Sequence, residues 1–159
     1  MAIFERSIEI RAPRSALFHL TQDYGRRLEW DPFLKEATLV DGASQAGVGV
    51  RAWCVAKTGL GMETEYVSFN PPERTAIKMT RGPAIIHRFA GSWIFKALEP
   101  DLTRVTFRYH LTGQPRWLGF VVDPILMLVF AYDTQKRLQT LKQAVETTGI
   151  LVPVSDRSG

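Results

Sequence analysis

The sequence is poor in the residues that build covalent or metal frameworks. It has a single cysteine, Cys54, in 159 residues, which excludes an internal disulfide network and fits a reducing compartment, so a cytoplasmic location is expected. Its three histidines, His19, His87 and His110, lie far apart and lack the close spacing of a metal site, so neither a metal nor a cofactor is expected. P-loop, dinucleotide and zincin fingerprints are missing; Gly47 with Gly49 and Gly59 with Gly61 are isolated pairs of the turn-forming kind. Cys54 has no adjacent histidine or helix start to activate it, and no serine stands in a nucleophile elbow, which argues against nucleophilic catalysis. Charge of one sign is not concentrated either. Twenty Lys and Arg against sixteen Asp and Glu leave a net +4 spread along the chain, with Arg26-Arg27 the nearest thing to a cluster, so no nucleic-acid partner is expected. Long hydrophobic runs are absent too: the stretch from Trp117 to Tyr132 is interrupted by Asp123-Pro124 and falls short of a bilayer-spanning helix of ~20 residues. Met1 to Arg11 alternates from the start and does not read as a signal peptide.

What is present is enough apolar material, 45% of the residues, for one domain over 1–150, followed by a flexible tail over 151–159. In Ile3 to Arg11, Phe4, Ile8 and Ile10 share one parity and Glu5, Ser7, Glu9 and Arg11 the other, which predicts a half-buried strand. Ser15 to Thr21 has helical spacing behind Pro13, and a second short helix is predicted over Tyr24 to Glu29, ending by Asp31 because Pro32 disfavours helical geometry before it. Six more strands follow, over Leu34–Val40, Val48–Lys57, Met62–Asn70, Arg74–Arg81, Arg88–Leu98 and Thr103–Leu111, separated by short turn signals such as Asp41-Gly42 and Gly82-Pro83. No connection is long enough for a parallel crossover, so the strands form an antiparallel meander. Parity places Met62, Thr64 and Tyr66, and Val105, Phe107, Tyr109 and Leu111, on the inner face, and Glu63, Glu65, Thr106, Arg108 and His110 on the wet one. In the strand around Trp53 both faces are apolar; Trp53 is read as inward.

From near Trp117 to near Thr147 the period changes to 3.6, with Phe120, Met127, Ala131, Leu138, Leu141 and Val145 forming one stripe. The second half keeps polar residues, Asp133, Lys136, Arg137, Gln139 and Lys142, on the other faces. In the first half Val121, Val122, Ile125, Leu126, Leu128 and Val129 surround the helix with apolar side chains. Either strands wrap and bury that half, or it borders a ligand cavity, a dimer contact or a membrane-docking patch.

Strand, two short helices, six strands and a long C-terminal helix resembles the helix-grip fold of the pollen-allergen-like, START and polyketide-cyclase-like (SRPBCC) superfamily. The segments Ile10-Arg11-Ala12-Pro13-Arg14-Ser15-Ala16-Leu17-Phe18, Glu29-Trp30-Asp31-Pro32-Phe33 and Leu102-Thr103-Arg104-Val105-Thr106 carry the resemblance, which covers Ile3 to Val145. It implies an α+β fold in which a seven-stranded curved antiparallel sheet wraps a long C-terminal helix, with an apolar cavity between them. Gly91 in mid-strand offers a place for the sheet to bend. On that reading the protein binds a hydrophobic small molecule, a lipid, quinone or polyketide-like compound, as a carrier or sensor. The expected ligand-binding residues are Trp53, Tyr66, Trp93, Phe107, Tyr109, Phe120 and Met127, with Tyr66 and Tyr109 as polar anchors. A cyclase or aromatase is the alternative, drawing on Tyr66, Tyr109, His110, Arg108 or Glu65, although period two points most of these outward, and Asp31 is a weaker candidate at the cavity mouth. A third reading makes Trp117 to Val129 a docking face for a membrane or a second copy.

Overall fold

Alternation at the N-terminus builds β1 (Ala2–Ile10), which Pro13 ends by opening α1 (Arg14–Gln22). In the computed structural model, which describes residues 2–147 and 150–151, α2 (Arg27–Trp30) follows, then β2 (Leu34–Leu39), β3 (Arg51–Ala56), β4 (Gly61–Asn70), β5 (Arg74–Arg81), β6 (Ile86–Glu99), β7 (Leu102–Gly113), a 3₁₀ turn (Arg116–Leu118) and α3 (Gly119–Thr147). Most of the expected tail, residues 152–159, lies outside the described residues, while Leu151 packs against the core.

Two elements start later than their sequence pattern predicts, each for a local reason. The helix expected at Tyr24 begins at Arg27 because the Asp23 carboxylate accepts the Gly25 amide at 2.9 Å, a side-chain turn that competes with helical pairing. The strand expected from Val48 begins at Arg51 because Gly49 adopts φ +83°, outside the extended region.

The strands pair in the order β1-β7-β6-β5-β4-β3-β2, all antiparallel, and the sheet curls around α3. Irregular pairing sits near the ends of β6, at Ile86/Arg88 and Ala97/Glu99, not at Gly91. Gly91 instead makes room for a ring: a Cβ there would lie 3.1 Å from Phe107 Cζ.

The far half of α3 closes the main core. Leu138 and Leu141 are fully buried with Ile10, Leu17, Val105 and Leu111. Phe18 of α1 meets Phe69 and Phe95 edge-on at 5.3 and 5.5 Å. Polar ties fix this half to β1, since Glu146 accepts the Arg11 amide at 2.9 Å and Lys142 donates to the Glu9 carbonyl at 2.6 Å. The near half is held at Gly113, whose amide donates to Asp123 at 2.8 Å. Among the described residues no helix is long and apolar enough to cross a membrane.

At Gly113 the helix approaches so closely that a Cβ would stand 2.5 Å from Val122 Cγ1 and 2.9 Å from Leu126 Cδ1. Gly113→Ala is therefore expected to cost about 1–3 kcal/mol in urea unfolding through overpacking. Gly47→Ala, with nothing within 4 Å of the new Cβ, serves as the neutral control.

Candidate functional site

Between the concave face of the sheet and α3 lies a cavity of about 240 Å³. Alternation on β4 turns Met62, Thr64 and Tyr66 into it; β3 contributes Cys54 and Ala56, β6 Trp93 and β7 Phe107. On α3 the wall runs from Leu126 through Val129, Phe130 and Asp133 to Arg137, about 16 Å of helix. Chemistry is segregated along that line. At the Leu126 end the rim is apolar and partly exposed, with Leu60 at 56%, Ile85 at 46% and Val129 at 51%. At the Arg137 end, Arg27, Arg137 and Tyr24 form the wall.

The charged end is organised by Asp31, which is 2% exposed. Its Oδ2 accepts from Arg27 Nε at 2.9 Å and from Arg137 Nη2 and Nε at 2.9 and 3.1 Å, while Oδ1 accepts the Phe33 amide at 3.0 Å. Arg27, itself 5% exposed, donates from Nη1 to the Thr21 carbonyl at 2.9 Å and lies 4.9 Å over the Trp30 ring. Burial opposes the charge on Asp31, but Arg137 and Arg27 outweigh it and hold the carboxyl below its ordinary range. Burial likewise works against the Arg27 cation, yet Asp31 and the neighbouring Tyr24 more than offset it, so the guanidinium stays charged.

A second polar group adjoins it. The Tyr66 hydroxyl donates to Gln22 Oε1 at 2.6 Å and shares a 3.3 Å hydrogen bond with the Tyr24 hydroxyl. Burial pushes both phenols, and the Cys54 thiol, above their ordinary values, and it raises Asp133 despite Arg137 and Lys136.

Of the seven residues expected at the site, Tyr66, Trp93 and Phe107 line the cavity. Trp53 does not: the β3–β4 register puts Cys54 opposite Met62 and Trp53 opposite Glu63, so the indole lies on the outer face, under Arg81 at 5.4 Å and across Gly61. Phe120 is 79% exposed, because in the first turn of α3 it is Val122, two positions on, that turns toward the sheet and packs at Gly113. Met127 packs against the core outside the cavity wall. Tyr109 is fully buried but walled off, since Phe89, stacked on its ring at 6.0 Å, and Phe130, tilted against it at 5.8 Å, line the cavity in its place. Among the described residues its hydroxyl meets the geometry of no hydrogen bond, although Thr134 stands beside it.

The outward parity of the other acid/base candidates holds. Arg108 pairs with Glu5 at 2.6 Å and Glu65 with Lys78 at 3.7 Å, and His110 is only half-buried on the same outer face. Arg27 and Arg137 were the residues the sequence reading missed. The Arg27-to-Asp31 spacing of one helical turn was the available signal, whereas Arg137 reads as part of the wet face of α3 and is in fact covered by Asp31 and Phe33.

Replacing Asp31 by Asn leaves the buried Arg27 and the half-buried Arg137 guanidiniums without their counter-charge, and a loss of about 3–5 kcal/mol is expected. The sign of the pH dependence follows from the lowered carboxyl. Asp31 stabilises the fold fully above its ordinary value of 3.8, and that contribution fades as pH falls through the lower folded value. Urea unfolding of both proteins should therefore show a gap that is constant near neutrality and narrows only below about pH 4.

Solved structures share this architecture at low identity. An aromatase/cyclase, Zhui, from a Streptomyces species superposes with a TM-score of 0.77 at 11% identity, over 93% of this chain and 98% of that one. The protein XoxI from Bacillus cereus gives 0.75 at 17%, over 91% and 95%. A START superfamily protein from Mycobacterium smegmatis gives 0.74 at 13%, over 92% and 98%. Likeness at these identities is one of fold, and no curated protein matches the sequence. The family described as polyketide cyclase / dehydrase and lipid transport matches residues 1–146. With nearly the whole chain matched and the curled sheet gripping α3, this protein belongs to the polyketide cyclase/dehydrase and lipid transport family and has the START-like, helix-grip fold.

Proposed function

We propose that the protein binds a hydrophobic small molecule, a lipid, quinone or polyketide-like compound, in the cavity between sheet and α3, as a carrier or sensor. The observation that supports this is the cavity itself. Protein interiors pack as densely as organic crystals, so a cavity of about 240 Å³ walled by Trp93, Phe107 and Phe89 is a departure from that packing, and an apolar molecule seated there gains contact with all three rings. The cyclase reading has less to stand on: Glu65, Arg108 and His110 face away, and the Tyr66 phenol is bound to Gln22 and pushed up by burial, away from the range of a general base. Among the described residues Asp133 is the one carboxylate on the wall.

A neutral solvatochromic dye such as Nile red reports on the cavity. It is expected to bind the wild type with enhanced, blue-shifted emission and to bind at least about tenfold more weakly to Cys54→Phe, whose ring fills the space. Equal dye binding by the two proteins sinks the proposal.

A second reading concerns the outer side of α3. Val121, Ile125, Leu128 and Tyr132 recur at helical spacing, 44% to 72% exposed, and Val129 of the same helix also rims the cavity. We read this stripe as a lipid-docking face, since a bilayer covering it meets the cavity mouth and lets an apolar ligand pass without crossing water. The net charge of +4 favours an anionic surface. In sedimentation with phosphatidylglycerol-containing liposomes the wild type should pellet and Leu128→Glu should stay in the supernatant. A wild type that ignores liposomes but dissociates on dilution makes the stripe a contact between two copies instead.

A further inference from the structure

We infer that the ligand is an amphipathic oxyanion, an apolar body ending in a carboxylate or similar group, bound with its anionic end against Arg27 and Arg137. This inference rests on the reading of the cavity as a ligand site. It comes from an imbalance: two guanidiniums share one bonded carboxylate in an interior that screens charge poorly. Asp31 Oδ2 takes all three short contacts from the pair, and Arg27 Nη1 is used by the Thr21 carbonyl. Arg27 Nη2 and Arg137 Nη1 have no protein acceptor among the described residues, and both side chains line the cavity. Arg27 is also fixed in direction. Trp30, Tyr24 and Trp93 stand 4.9 to 5.8 Å from its guanidinium carbon, so it cannot swing to solvent in search of a partner.

Asp133, the remaining acid on the wall, lies within electrostatic reach of Arg137 and Lys136 but forms no ion pair with either arginine among the described residues, so the free guanidinium N–H groups keep no bonded acceptor. Polarity along the cavity then sets the orientation. The charged end lies about 16 Å along α3 from the apolar rim at Leu126. An extended molecule of roughly ten carbons fits that length, with its oxyanion seated at Arg27 and Arg137 and its tail leaving between Ile85 and Val129. A neutral ligand leaves two donors unmet, and a cationic one meets a surplus of like charge.

A set of ten-carbon ligands that differ only at the head separates these outcomes. Isothermal titration at pH 7 with decanoate, decanol, methyl decanoate and decylamine is expected to rank decanoate first, at least about tenfold tighter than decanol, and decylamine last. Arg137→Gln should bring the decanoate-to-decanol ratio toward one, and Asp133→Asn, which removes a like charge from the wall, should widen it. Decanol binding as tightly as decanoate, or decylamine matching either, overturns the inference and leaves the hydrophobic-ligand reading intact. Failure of all four to bind overturns both.

Discussion

A single buried carboxylate organises one end of this molecule. Asp31 closes α2, receives Arg27 from that helix's first residue and Arg137 from α3, and so ties the strand-free segment after β1 to the helix the sheet encloses. Ion sets of this kind are costly to bury, and well-packed apolar residues of similar volume often do as well or better for stability. Their place on the cavity wall fits the recognition role proposed for them above. The fold is held elsewhere, by Leu138, Leu141 and the aromatic contacts around Phe18 and Phe95.

The sheet sorts chemistry by parity. On β7, and on β4 as far as the irregular pairing after Tyr66, every second residue faces the cavity or core, among them Met62, Thr64, Tyr66, Phe107 and Tyr109, and the residues between them carry the charged groups. Glu65, Arg108 and His110 are thereby spent on the convex face, where Arg108 and Glu65 form cross-strand ion pairs. What charge the cavity wall has comes from helices, through Arg27 of α2 and Asp133 and Arg137 of α3. A scaffold built this way changes its ligand chemistry by substitutions in α2 and α3 without touching the pairing of the sheet.

Most of the fold was legible because it depends on local pattern. The alternation on β1, β5 and β7 and the turn residues between strands gave the order, and β5 occupies the predicted Arg74–Arg81. Where both faces of a strand are apolar, pattern is silent: in β3 only the pairing of Cys54 with Met62 decides that Trp53 faces out. Helical period also cannot tell which side of an apolar turn the sheet covers, which is why Phe120, in line with Met127, ends up in solvent while Val122 packs at Gly113. Arg137 was obscured for a related reason. Its cover comes from Asp31 and Phe33, more than a hundred positions earlier, and no window along α3 contains that information.

The chain's one thiol stands on the cavity wall, held protonated by its surroundings. Its sulfur is thus slow toward polar alkylating reagents yet open to anything that enters the cavity, and a molecule bound as proposed would shield it. Occupancy would thereby be read out by thiol reactivity in the native sequence, with no competing cysteine to confuse the signal.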